Sequence, residues 1–174
     1  MSTSLTALNS SDRDTFTAAL GHLFEHSPWV AEETWSRRPF ASAEALHAAL
    51  CTTMRAAPQD RQLALIRAHP DLAGRLAQQK KLTAESTREQ ASAGLDQLTD
   101  AELAAFTRQN DAYKAKFGFP FIICARLNAK SAILDAMQAR STNPPDTEFA
   151  TALGEIEKIA RLRLLDVLGT ANQP

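Results

Sequence analysis

Apolar side chains return every three or four residues along almost the whole chain, while runs that alternate apolar with polar residues are nearly absent. The first spacing gathers side chains on one face of an α-helix, and the second would gather them on one face of a strand. The pattern therefore predicts an all-α fold, a single-domain helical bundle of about seven to nine helices. Phe16, Leu20, Leu23 and Phe24, behind a Ser-Ser-Asp start, mark a helix from Ser11 to His26 that Pro28 breaks. A short tryptophan-bearing segment, PWVAEETW, leads to Pro39. Leu46, Leu50 and Met54 mark a helix beginning near Ser42, and Leu63 with Ile66 mark one ending near His69.

Pro70 suits the first turn of a helix, where its missing N–H is not needed, so a helix is predicted from Asp71 to Lys80. Thr83 can cap the next, which stops near Gly94. Thr99 and Glu102 form a capping-box pattern for a longer helix through Leu103, Phe106 and Tyr113. The FGFPFII run at 117–123 interrupts the rhythm. Ile133, Leu134 and Met137 mark a further helix, and the Asn-Pro-Pro-Asp turn at 143–146 precedes a last one over 147–168.

A chain of 174 residues has the size of one domain, here taken as residues 1–174 with short flexible ends. Its 19 basic and 20 acidic residues leave a formal charge of −1, so no global field draws it to nucleic acid or to an anionic membrane. No apolar run approaches a membrane span, the N-terminus has no signal-peptide pattern, and the C-terminus carries no peroxisomal address, which reads as cytoplasmic. The two cysteines, Cys51 and Cys124, stand far apart, and no His/Cys/Asp/Glu group has metal-ligand spacing.

Four features can carry chemistry. His69 precedes a proline and is pushed out of helical geometry beside a predicted helix N-terminus, whose positive end favours a neutral imidazole able to relay a proton; the alternative is a histidine that caps a turn. Ser86, Glu89 and Gln90 share one helix face and can converge on a ligand, or can be a solvated face with its own capping box. Arg163 lies about 40° from the centre of the apolar stripe of the last helix, whereas Arg161 lies about 120° away on the other side. An inward guanidinium needs an anion, which is either an internal Asp or Glu or a substrate carboxylate. The FGFPFII run can present main-chain groups to a flat heterocycle, or plug the core.

HPDLAGRLA at 69–77, LTAESTREQASAGL at 82–95 and FGFPFIICAR at 117–126, flanked by FEHSPWVAE at 24–32 and EIEKIARLRL at 155–164, resemble in order and spacing the signature of the OHCU decarboxylases, the 2-oxo-4-hydroxy-4-carboxy-5-ureidoimidazoline decarboxylase family. The resemblance runs from about Phe16 to Leu168. It implies a homodimeric helical bundle that works without a cofactor or metal and turns a ureidoimidazoline carboxylate into (S)-allantoin in urate breakdown. It puts the family's essential histidine on His69, and substrate contacts on Pro70, on Ser86, Glu89 and Gln90, on the main chain of Phe121, Ile122, Ile123, Cys124 and Ala125, and on Arg163. Glu89 is read beside it as a catalytic companion that orients the ring or His69, and the intervening Thr87 and Arg88 as part of the same substrate-binding run. A helical module that binds a ureide without turning it over, and a decarboxylase of a related ring carboxylate, are the competing readings.

Overall fold

Helix boundaries follow local side-chain chemistry wherever that chemistry is complete within a few residues. A computed structural model describes residues 3–74 and 79–169. The ends of the chain expected to be flexible include residues 1–2 and 170–174, which lie outside the described residues. Among the described residues the regular elements are nine α-helices and three short 3-10 turns. The helices are α1 (Leu5–Ser10), α2 (Arg13–Leu20), α3 (Trp29–Thr34), α4 (Ala43–Ala56), α5 (Gln59–Ala68), α6 (Ala84–Ser92), α7 (Asp100–Phe117), α8 (Lys130–Arg140) and α9 (Pro145–Leu168). The expected all-α class holds, and none of the described helices is long and apolar enough to cross a membrane.

The capping signals act as anticipated. The Thr99 hydroxyl accepts the Glu102 N–H at 3.2 Å while the Glu102 carboxylate accepts the Thr99 N–H at 2.8 Å, closing the box at the start of α7. Its other end stops at Gly118, whose φ of 76° is left-handed and open to glycine without strain. Thr83 caps α6 through the Ser86 N–H at 3.2 Å.

Two boundaries differ from expectation. The first long helix ends at Leu20, tightens into a 3-10 turn over Gly21–Leu23, and does not reach His26. Pro28 packs against Gly21, where an added Cβ would stand 3.0 Å from the proline Cβ. The preceding α1, capped by Ser4, is absent from the sequence reading. The helix expected over Asp71–Lys80 is the second difference. Asp71–Gly74 form a turn with Ala73 at φ 51°, and residues 75–78 of that expectation lie outside the described residues.

Backbone contacts group into two compact units, residues 1–68 with 157–174, and residues 69–156. In the first, Phe16, Leu20, Phe24, Leu46, Leu50 and Met54 are buried, each worth about 1.5–3 kcal/mol against exposure. Arg38 stacks over the Trp35 ring at 4.2 Å and donates to the carbonyls of Asn9 and Ser11 at 2.9 and 2.6 Å, so one guanidinium ties down the end of α1.

In the second unit, Tyr113 donates a hydrogen bond to the buried carboxylate of Glu148, which also accepts from Arg140 at 2.9 Å and Asn143 at 2.8 Å. Burial alone would raise the Glu148 carboxyl, but the bonds from Arg140, Tyr113 and Asn143 together overcome it and hold the group below its free value of 4.5. A carboxyl held low in the folded state adds stability that is complete above its unfolded value and disappears as pH falls through its folded value. Thermal melts should therefore show the wild type losing stability below about pH 4.5, whereas Arg140→Met starts less stable and is flatter over that interval. Parallel curves would contradict this origin.

Candidate active site

The site is built from the turn that ends α5 at a proline. The Pro70 ring disfavours helical geometry at His69, so α5 stops at Ala68 and the chain bends. His69 is buried, 7% exposed. Residues 70–74 are not helical, so no helix begins directly at Pro70 to present its positive end to the imidazole.

Side chains from two helices fix this turn. The Gln90 side chain accepts the Ala73 N–H at 2.9 Å through Oε1 and donates to the Asp71 carbonyl at 3.3 Å through Nε2. Lys114 pairs with the Asp71 carboxylate at 2.6 Å, and Asn110 donates to the Leu72 carbonyl at 2.9 Å. Gly74 is needed because a Cβ there would stand 2.5 Å from the Asp71 Cβ. The amide of Gln90, read from the sequence as a ligand contact, thus serves the turn that carries His69 and Pro70.

Helix α6 divides its Ser86–Gln90 run by face. Ser86 and Gln90 are buried and Glu89 is half-buried. Thr87 and Arg88 are exposed and locally engaged: Thr87 donates to the Thr83 carbonyl at 2.9 Å, and Arg88 faces Glu85 at 3.6 Å. A cavity of about 540 Å³ opens beside this helix, with Ala73, Thr87, Gln90, Leu95 and Leu103 in its wall.

The segment Phe121–Ala125 is buried throughout and irregular up to a 3-10 turn, Ala125–Leu127, that packs on α6. Arg140 donates to the Ile122 carbonyl at 2.8 Å and stacks over the Phe121 ring at 4.2 Å, and the Cys124 N–H donates to Glu155 at 2.8 Å. Among the described residues, no hydrogen bond uses the N–H of Phe121, Ile122 or Ile123. Buried N–H groups are nearly always paired, so these three are suited to a ligand's carbonyl or anionic oxygens. The Cys124 thiol is raised by burial and then by the charges of Glu155 and Glu89, which marks it as an unreactive neutral group.

The second unit accordingly brings together three of the four features: the His69 turn, the inner face of α6 and the 121–125 segment. Arg163 belongs to the first unit. It is 3% exposed, faces inward as its helical phase implies, and meets Glu25, also 3% exposed, at 3.1 Å, donating in addition to the His22 carbonyl at 3.2 Å. Arg161, two residues earlier, is exposed. Sequence reasoning missed Glu25, Asn110, Lys114, Arg140 and Glu155. Asn110 carried a signal, being a polar residue in helical register with the apolar Phe106 and Tyr113. Among the described residues, no three His, Cys, Asp or Glu side chains form a group able to hold a metal.

A sequence model of the OHCU decarboxylases matches residues 9–165, and the chain belongs to that family. It is 46% identical over 157 residues to the 2-oxo-4-hydroxy-4-carboxy-5-ureidoimidazoline decarboxylase of Halalkalicoccus jeotgali, covering 90% of this chain and 87% of that one. To the enzyme of the same name in Haloferax volcanii it is 43% identical, covering 93% and 94%. The crystal structure of an (S)-allantoin synthase superposes with a TM-score of 0.74 at 32% identity over 95% of this chain. The match spans about half of that longer protein, 53%.

Proposed function

We propose that the protein decarboxylates 2-oxo-4-hydroxy-4-carboxy-5-ureidoimidazoline to (S)-allantoin in urate breakdown. Family membership over residues 9–165 carries this reading, and because that match crosses both units we take residues 1–174 to act as one domain. The substrate holds a carboxylate and a hydroxyl on one ring carbon beside a C=N bond. When carbon dioxide leaves, the carbon–carbon bonding pair flows into the C=N, and a proton must then reach one face of the enediol-like ring. The substrate is its own electron sink, so the chemistry asks of the chain only anion binding and proton handling.

His69 exchanges the proton with the hydroxyl or with the new stereocentre, a contribution typically worth about 100- to 10,000-fold. Glu89 orients the ring or His69. Ser86 and Pro70 border the substrate, the N–H groups of Phe121 to Ile123 read its ring and ureido oxygens, and Gln90 acts mainly through the 71–73 turn that it holds. The exposure of Thr87 and Arg88 favours a supporting part for both. Arg163 is assigned to the substrate by the family resemblance, with its Nη1 shared with Glu25. A homodimer in the cytoplasm is the accompanying proposal on the same resemblance.

Carbon dioxide release from freshly generated substrate tests the reaction. Many turnovers per protein molecule are expected, whereas stoichiometric binding of the ureide without release would identify a binding module. Chelator-treated protein should keep full activity, since nothing in the proposed steps uses a metal. A requirement for added Zn²⁺ or Mg²⁺ would overturn the mechanism.

A further inference from the structure

Helix α7 buries Phe106, Asn110 and Tyr113 on one side, and Asn110 is the amide in that otherwise aromatic row, 3% exposed. Its Nδ2 donates to the Leu72 carbonyl at 2.9 Å, while its Oδ1, also buried, meets no donor among the described residues. A half-satisfied buried amide is a poor way to gain stability alone, because the unmatched oxygen retains its desolvation penalty. Lys114, one turn further along α7, holds the Asp71 carboxylate at 2.6 Å, and Gln90 from α6 holds the Asp71 and Ala73 main chain. Three consecutive residues are thus pinned by side chains from two helices. The turn they form includes Ala73 at φ 51°, a left-handed conformation that a residue with a Cβ keeps only when its surroundings impose it.

The pinned turn begins one residue after Pro70. The proline ring fixes its own φ and restricts the backbone of His69, so few soft dihedrals separate the Leu72 carbonyl from the His69 ring. Anchoring Leu72 therefore fixes where the imidazole stands. We propose that Asn110 is a positioning residue for the reaction, holding the Leu72 carbonyl so that His69 meets the substrate at the productive distance. This inference rests on the reading of His69 as the proton-handling group. Releasing the anchor lets the imidazole drift, and a misplacement of about 1 Å can reduce a rate on the order of 100-fold without any change in what touches the substrate.

The test uses the full chain with Asn110→Asp, which keeps shape and removes the donor, Asn110→Ser, and Lys114→Met at the exposed edge of the same turn, beside His69→Gln. Turnover of freshly generated substrate, (S)-allantoin binding, thermal melts and the ring ¹H–¹⁵N resonances of the four histidines are followed together. Both Asn110 variants should lose about tenfold or more in kcat while KM and allantoin affinity stay within about threefold, with Lys114→Met showing a smaller loss in the same direction. The resonance that disappears in His69→Gln should shift in Asn110→Asp, while those of His22, His26 and His47 hold. A purely structural Asn110 would lower the melting temperature and leave kcat and the His69 resonance unchanged, which overturns the proposal. If neither Asn110 variant folds, Lys114→Met decides, and its unchanged kcat and His69 resonance would also overturn it. An active His69→Gln removes the reading underneath, whereas an inactive His69→Gln beside a fully active Asn110→Asp removes the positioning role alone.

Discussion

Replacing His69 with glutamine or alanine is expected to lower the turnover rate by about 100-fold or more while leaving the helical circular dichroism unchanged. The two effects separate because His69 follows the last residue of α5 and adds no turn to it. Glutamine keeps a polar side chain of similar reach but cannot exchange a proton near neutral pH. The comparison must be made against the spontaneous decay of the substrate, so the rate to compare is the excess over buffer. Near-normal excess rate in either variant would remove His69 as the proton-handling group.

Arg163→Met should produce the largest loss of stability. Glu25 and Arg163 are both buried at 3% exposure, and removing the guanidinium takes away the buried countercharge 3.1 Å from the carboxylate, a loss worth about 3–5 kcal/mol for a buried pair. For a chain of this size that lowers the melting temperature by about 6–20 °C. Arg161→Met, at an exposed position, should change it little. The double variant Glu25→Gln with Arg163→Met should recover part of the loss, because the buried negative charge is then gone. Titration with (S)-allantoin separates the pairing from a substrate role: weaker binding in the melt-corrected Arg163→Met variant supports a contact, and unchanged affinity with a lowered melting temperature confines the residue to its pair with Glu25.

The residues differ in how far their surroundings could be read from the chain. Thr99, Glu102, Gly118 and Thr83 set helix ends through partners within four residues, so sequence suffices for them. The inward aim of Arg163 was equally legible, because helical phase is local, but its partner Glu25 lies 138 positions away and could not be inferred from spacing. The same distance problem explains the 71–73 turn. A proline at 70 is compatible with a helix start, and what forms the turn there is contact with Gln90, Asn110 and Lys114, the last two 38 and 43 residues from their partners. The Ser86-x-x-Glu89-Gln90 pattern marked the inward face of α6, whereas the run that contains it includes Thr87 and Arg88 on the exposed side. For the 121–125 segment, an interruption of helical rhythm was visible, but the division between main-chain groups bonded within the protein, such as the Ile122 carbonyl and the Cys124 N–H, and the N–H groups of Phe121 to Ile123 required coordinates.

The handedness of the product tests the central claim most directly. Urate oxidase and hydroxyisourate hydrolase generate the unstable ureidoimidazoline in solution, and its unassisted decay has no reason to favour one face of the ring. With this protein added, circular dichroism should follow the fast appearance of (S)-allantoin, in excess and in proportion to protein concentration, and His69→Gln should return the trace to that of buffer. Racemic allantoin formed at the uncatalysed rate in the presence of the folded wild-type protein would contradict the account.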